Sequence, residues 1–369
     1  MILYLSIAIT AVLICTLVKP ATNPQRTQPM SRQSMLNMAA LLLAFLILFI
    51  FQSLRLNVGN DYIRYVELMH LVTRDAFVPT EVGFNLLVQI INGLSGFNNY
   101  LMVFAIFSLA TIALFMWAMY RDSENFALSF FLFMAFGLYF QSFSSVRYYL
   151  ALAIALLAIP YLLKKQWLPF IAWVLLGAAF HKSALVVLPL YFLAILNWKK
   201  WMLALAGLFC LSLFFMQDFY LRIMLFLYPT YENTDYLEGG SSLINVIRCA
   251  AVLVFSLIYY RQAIKNNPRN RFYFYLNLEA LILYTCASFI PVVSRIGYYL
   301  TVTHILFLPA IVNCMEDRRQ RRFFTGLIIC AGILYLLMYL ILARADGIRL
   351  YPYQTFLFHE LPLILSTEL

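Results

Sequence analysis

Ala39-Ala40-Leu41-Leu42-Leu43-Ala44-Phe45-Leu46-Ile47-Leu48-Phe49-Ile50-Phe51 contains no polar side chain. Widened to residues 36–54, the stretch makes a helix roughly 28 Å long, enough to cross the hydrocarbon core of a bilayer. Segments of the same kind recur along the chain, at about 2–18, 98–119, 126–143, 148–163, 167–181, 183–197, 201–217, 243–260, 273–290, 297–314 and 323–343. With 36–54 they predict an all-α, polytopic transmembrane protein of about twelve crossings, folded as one transmembrane domain over 1–369.

Composition agrees. The 369 residues are 64% hydrophobic and 11% charged, with a mean hydropathy of +0.83, whereas a soluble domain carries about 25% charged residues. A soluble enzyme is excluded. The net charge of +10 raises the question of nucleic acid, which the positions of the basic residues answer. Read as alternately inside and outside, the linkers put 16 of the 26 Lys and Arg in short inside loops, around 19–32, 121, 164–165, 199–200, 261–271 and 318–322. That is the positive-inside distribution of a membrane protein, with no nucleic-acid partner.

The apolar stretch 82–94 is too short to cross and reads as an interfacial or re-entrant helix; counting it as a crossing would place the basic clusters outside. Residues 1–18 lack a basic leading region and read as an uncleaved first helix with its N-terminus outside. The six cysteines all fall in apolar spans without a paired spacing, and read as small hydrophobes. Outside segments at 55–97, 218–242 and 344–369 then receive 11 of the 16 carboxylates. Long polar loops on one side of a rigid scaffold are where function usually resides.

Six short motifs can carry chemistry. Asn57-Val58-Gly59-Asn60-Asp61-Tyr62 and Pro79-Thr80-Glu81-Val82-Gly83-Phe84 each bring a carboxylate to the membrane surface. Asp61 and Glu81 suit general-base or sugar-hydroxyl work, or else cap helices and pair with Arg64 and Arg74. In Ser144-Ser145-Val146-Arg147-Tyr148 a lone arginine stands at the outer mouth of a helix. It is suited to grip phosphate with its planar fork, or else to snorkel to headgroups. Phe180-His181-Lys182-Ser183 sets an imidazole between two apolar spans, as a base or as a structural donor. Ser294-Arg295-Ile296-Gly297-Tyr298-Tyr299 offers a second outside arginine, with Tyr299 one turn away on the same face. Tyr351-Pro352-Tyr353 is a sugar platform or an interfacial belt. Glu279, inside the tenth predicted span, is expected to pair or to snorkel inward, and is the strongest hint of a transporter-like ion site.

Taken in order, these motifs resemble the EpsG-like branch of the Wzy-type bacterial polysaccharide polymerases, nearly end to end. The chain departs from the pattern at Tyr148, where the family commonly has Gln, and at Val82, where it has Pro. Neither departure removes a charged group, so they bear on substrate choice more than on reaction type. The resemblance implies a membrane glycosyltransferase of GT-C-like fold. It would polymerise undecaprenyl-pyrophosphate-linked oligosaccharide repeat units on the periplasmic face of the inner membrane, in O-antigen or other surface polysaccharide (lipopolysaccharide) biosynthesis. It further implies Asp61, Glu81 and His181 as catalytic candidates, and Arg147, Arg295, Tyr62, Tyr148, Lys182, Tyr299 and Tyr353 as substrate contacts. The partners implied are the lipid-linked oligosaccharide, the bilayer and a polysaccharide chain-length regulator. No cofactor is expected, and no metal, because the outside loops lack a DxD or a His/carboxylate ligand cluster. The competing readings are a lipid-linked oligosaccharide flippase or other transporter, for which the two halves share no duplicated motif, and an O-antigen ligase, which differs only in its acceptor.

Overall fold

The computed structural model describes residues 1–19, 31–74, 76–227, 243–290, 293–345 and 347–359. Most of the predicted outside segment 218–242, with Glu232, Asp235 and Glu238, lies outside the described residues. So do Arg26, Asp75, Asp346, Glu360 and Glu368. The described residues are helical, and an isolated antiparallel bridge joins Arg55 to Thr355.

The helices are α1 (Ile2–Cys15), α2 (Arg32–Ser53), α3 (Tyr62–Thr73), α4 (Val82–Ser95), α5 (Tyr100–Asp122), α6 (Phe126–Ala135), α7 (Leu138–Gln141), α8 (Val146–Leu163) and α9 (Trp167–Phe180). After a 3₁₀ turn at Lys182–Val186 come α10 (Val187–Ile195), α11 (Lys200–Phe215), α12 (Gln217–Leu227) and α13 (Leu243–Ile258). A π-turn at Tyr260–Ile264 leads to α14 (Pro268–Cys286), α15 (Val293–Thr301), α16 (His304–Asn313) and α17 (Arg318–Leu342). Five stretches of at least 18 residues are long and apolar enough to cross a membrane: α2, α5, α8, Val293–Asn313 and α17. Shorter apolar helices accompany them. The chain is a multi-pass membrane protein.

The sequence spans locate the helices but not their breaks. The predicted span 126–143 stops at Ala135, because Gly137 takes a left-handed φ of 71° and restarts the chain as α7. The predicted span 297–314 is interrupted between Thr301 and His304. In the segment 55–97 the short apolar stretch 82–94 is a helix, α4, as expected, and a second helix, α3, precedes it. Elsewhere local signals act as expected. Ser31, Asn99, Asn125, Asn267 and Asp317 cap α2, α5, α6, α14 and α17 with side-chain oxygens, and Gly96 ends α4 in the left-handed region.

Two compact units emerge. The first comprises Met1–Leu157, Leu175–Lys182 and Glu316–Leu369. In it α1 packs on α2 and α6, α2 on α5, α17 on α6, and α4 on both α3 and α5. Small residues set the spacing. The buried face of α1 is Tyr4, Ala8, Ala11 and Cys15, and that of α2 includes Ala40 and Ala44, so the backbones approach closely as membrane helices do. Helix α8 is 78% buried along its apolar window whereas α2 and α17 are 28% and 22% buried; α8 is therefore an interior helix, and the other two keep broad faces for lipid.

The second unit comprises Ala158–Val174 and Ser183–Met315. Helix α14 is its hub, packed by α10, α11, α13, α15 and α16. Buried polar groups cross-link it: the His304 ring meets Asn277 Oδ1 at 2.8 Å, and Asn277 Nδ2 donates to Cys249 O at 3.1 Å. Glu279, expected to pair or snorkel, does neither: both carboxylate oxygens are buried without a hydrogen-bond partner among the described residues. Among the described residues it forms no salt bridge.

Candidate functional site

The first unit brings four of the sequence motifs together. Glu81 precedes α4 at its N-cap but makes no capping bond. Its Oε2 instead forms an ion pair with Arg147 Nη1, and its Oε1 accepts from the Lys182 backbone N–H at 3.0 Å. Gly83 explains why the three segments meet. A Cβ there would lie 2.7 Å from the Ala179 carbonyl, so only glycine lets the first turn of α4 lie against the last turn of α9, which leads into His181 and Lys182.

Arg147 sits in the first turn of α8, one residue inside the helix rather than in the turn before it. Its guanidinium lies 5.4 Å from the Tyr65 ring centroid and 5.2 Å from that of Phe84, both buried rings. Phe84 packs on Phe107, and Phe107 on Phe180, so an aromatic row ties α4, α5 and α9 behind the arginine. The Arg147 side chain is only 15% exposed and its Nε–H has no partner among the described residues. It does not snorkel; it is held in a low-dielectric setting where an ionic contact is strengthened. The His181 ring stands edge-on to Tyr148, centroids 5.3 Å apart, on the same turn of α8 as Arg147.

Asp61 also declines the capping role. It accepts from Ser145 Oγ at 3.1 Å, two residues before Arg147, and makes no side-chain cap to α3. Arg64, its supposed partner, pairs with Glu67 at 3.3 Å. Tyr62 is fully buried, stacked on Phe104 at 4.5 Å, so its ring presents no face to a ligand. Tyr353 stacks on Phe51 at 4.3 Å and donates to the Phe51 carbonyl at 2.7 Å, leaving one ring face uncovered by that pair. Arg295 and Tyr299 belong to the second unit, on α15. There Tyr299 is fully buried, its hydroxyl 3.1 Å from Ser183 Oγ and its carbonyl accepting from Tyr191. Arg295 is half-buried.

Residues 38–355 match the profile of the EpsG family. The chain belongs to the EpsG family. No curated protein and no solved structure matches it significantly. Membership joined to the apolar helices makes it a membrane protein of polysaccharide biosynthesis.

Within this EpsG-family fold, the residue that sequence reasoning passed over is Arg55. It is 1% exposed and has no carboxylate partner among the described residues. Its Nη1 donates to Gln52 O at 2.5 Å, its Nη2 to Phe143 O at 3.3 Å, and the rings of Tyr62, Phe104 and Phe143 surround it at 5.0–5.9 Å. Burial pushes its guanidinium down to about 10, which leaves it cationic at neutral pH. Burying a charge costs several kcal/mol, offset here by carbonyls and aromatic faces. The available signal was its place directly after an apolar span, where an unpaired cation needs a reason. Among the described residues no three His, Cys, Asp or Glu side chains gather as a metal site requires. Two apolar grooves of this unit, about 550 and 410 Å³, are lined by other residues.

Proposed function

We propose that this EpsG-family protein is a membrane glycosyltransferase that polymerises undecaprenyl-pyrophosphate-linked repeat units at the periplasmic face of the inner membrane. Twelve crossings, with the shorter apolar helices counted, and a GT-C-like arrangement belong to the same reading. The observation that carries it is the Arg147 setting: a partly buried guanidinium backed by two aromatic rings, oriented by Glu81, with an Nε–H unpartnered among the described residues and with Lys182 and His181 beside it.

The chemistry asks for this kind of group. The acceptor hydroxyl oxygen attacks the anomeric carbon of the donor sugar, and the bond from that carbon to the pyrophosphate oxygen breaks. The electron pair leaves with the pyrophosphate, and the hydroxyl proton passes to a base. Pyrophosphate is a competent leaving group, so the catalyst must neutralise developing negative charge more than supply an acid. Arg147 fits that role, because a planar fork in a partly desolvated site binds phosphate oxygens strongly. Glu81 holds Arg147 and the Lys182 N–H, and Asp61 Oδ2 accepts from Ser145; in this reading the base is His181, an imidazole being the side chain most often used for general-base work. Arg295 stands as a separate phosphate candidate from the sequence pattern; Tyr62 and Tyr299 serve as packing.

The test is polymer formation from purified lipid-linked repeat units by the purified protein in proteoliposomes. Long-chain product from wild type and none from Arg147→Ala supports the assignment. Repeat units moved across the bilayer without being joined would mean a flippase, and transfer onto a lipid core without polymerisation would mean a ligase.

A further inference from the structure

We infer that the segment Gln52–Asp61 is a brace that sets the position of Arg147, with Arg55 and Asp61 as its positioning residues; this rests on the donor-site reading of Arg147 above. Four consecutive residues form the turn that leads into α8, and this one segment grips each of them. Gln52 Nε2 donates to Ser142 Oγ at 3.0 Å, and Arg55 Nη2 donates to the Phe143 carbonyl at 3.3 Å. Gly59, at a φ of 102°, presses so close that an added Cβ would lie 2.7 Å from that carbonyl and 3.0 Å from the Ser144 Cα. Ser145 Oγ donates to Asp61 Oδ2 at 3.1 Å. Helix α8 starts at the next residue, and Arg147 follows.

The brace is itself anchored. Gly59 N–H donates to Arg349 O at 2.9 Å, Arg349 Nη2 to Asn57 Oδ1 at 2.8 Å, and Leu56 N–H to Gln354 O at 2.8 Å. Packing alone does not explain Arg55, since an apolar side chain would fill the same space without burying a charge. What arginine adds is a rigid fork of donors with fixed directions, and here the fork joins the end of α2 at Gln52 O to the turn at Phe143 O. Asp61 then fixes the last residue before the helix. A shift of the turn would move Arg147 with it, and a displacement near 1 Å is enough to spoil a phosphate contact.

The experiment uses the full-length protein in detergent, with farnesyl pyrophosphate as the probe ligand. It compares Asp61→Ala, Asp61→Asn, Ser145→Ala and Arg55→Lys, alone and combined with Arg147→Ala. Two quantities are read: affinity for the probe, and amide hydrogen exchange across residues 144–149. The brace predicts faster exchange at these amides in Asp61→Ala and Arg55→Lys, and about tenfold weaker probe binding. Asp61→Asn, whose amide oxygen still accepts from Ser145, is expected to bind better than Asp61→Ala. In the Arg147→Ala background the same changes should cost less than about twofold, because a positioning residue acts only through what it positions. Unchanged exchange in Asp61→Ala and Ser145→Ala overturns the brace, whatever becomes of Arg55→Lys if that variant fails to fold. Fully additive binding losses in the Arg147→Ala background overturn it as well. Wild-type probe binding by Arg147→Ala alone sinks the donor-site reading instead, while the exchange data still decide the brace.

Discussion

Glu81 and Arg147, 66 residues apart in the chain, form an ion pair in which each side chain is only 15% exposed. Neither motif announces the other in the sequence. The pair exists because Gly83 lets α4 lie against the end of α9 and because Tyr65 and Phe84 cover the guanidinium. It orients Arg147 through one Nη and leaves the Nε edge without a partner among the described residues.

Glu81→Ala leaves a partly buried guanidinium without its anion, at an expected cost of about 3 kcal/mol. The check is thermal unfolding in detergent, where Glu81→Ala should melt well below wild type. The double variant Glu81→Ala/Arg147→Ala should recover part of the loss, since it removes the orphaned charge. Equal melting of Glu81→Ala and wild type would mean that the pair does not hold the two motifs together.

Gly83→Ala should destabilise by about 1–3 kcal/mol, because the new methyl meets the Ala179 carbonyl at 2.7 Å. Gly93, on the same helix, has open space around the equivalent position. Gly93→Ala should be neutral or stabilising, by up to about 1 kcal/mol of helix propensity. Matched unfolding curves check the contrast. Similar behaviour of the two variants would argue against the close approach of α4 and α9.

Changes at His181 and Arg147 should separate kinetically. His181→Ala should lower kcat by roughly 10²–10⁴-fold with donor affinity nearly kept. Arg147→Lys retains the charge but loses the fork, and should lower polymerisation by one to two orders of magnitude, about 1.5–3 kcal/mol. Steady-state kinetics with varied lipid-linked donor decides. Wild-type kcat in His181→Ala would move the base to Asp61 or Glu81.

Orientation follows from the basic clusters. In a cysteine-free background, a cysteine at Arg64 should react with an impermeant outside reagent in intact spheroplasts, and one at Gln320 should resist it. The opposite pattern would invert the topology.

Helices were legible in the sequence because long apolar runs report membrane burial directly, and every predicted span coincides with at least one helix. The breaks were not, since a single left-handed residue such as Gly137 ends a helix without changing its hydropathy. For the site, Glu81, Arg147, His181 and Lys182 were visible as polar residues at the edges of spans. Their partners were hidden, because which carboxylate meets which cation depends on helix crossings that no local pattern encodes. Arg55 went unnoticed because a lone arginine after a span looks like an ordinary headgroup contact, whereas the fold turns it inward among three aromatic rings. Glu279 was expected to pair or to snorkel inward; it is buried, with no hydrogen-bond partner among the described residues.

The central claim is that Arg147 receives the pyrophosphate of a lipid-linked donor during glycan polymerisation. Its most direct test is a time course of product length, resolved on gels, for wild type and Arg147→Ala reconstituted at equal amounts with purified undecaprenyl-pyrophosphate-linked repeat units. The account predicts a growing ladder for wild type and only the single repeat unit for Arg147→Ala. A full-length ladder from Arg147→Ala at the wild-type rate would contradict it.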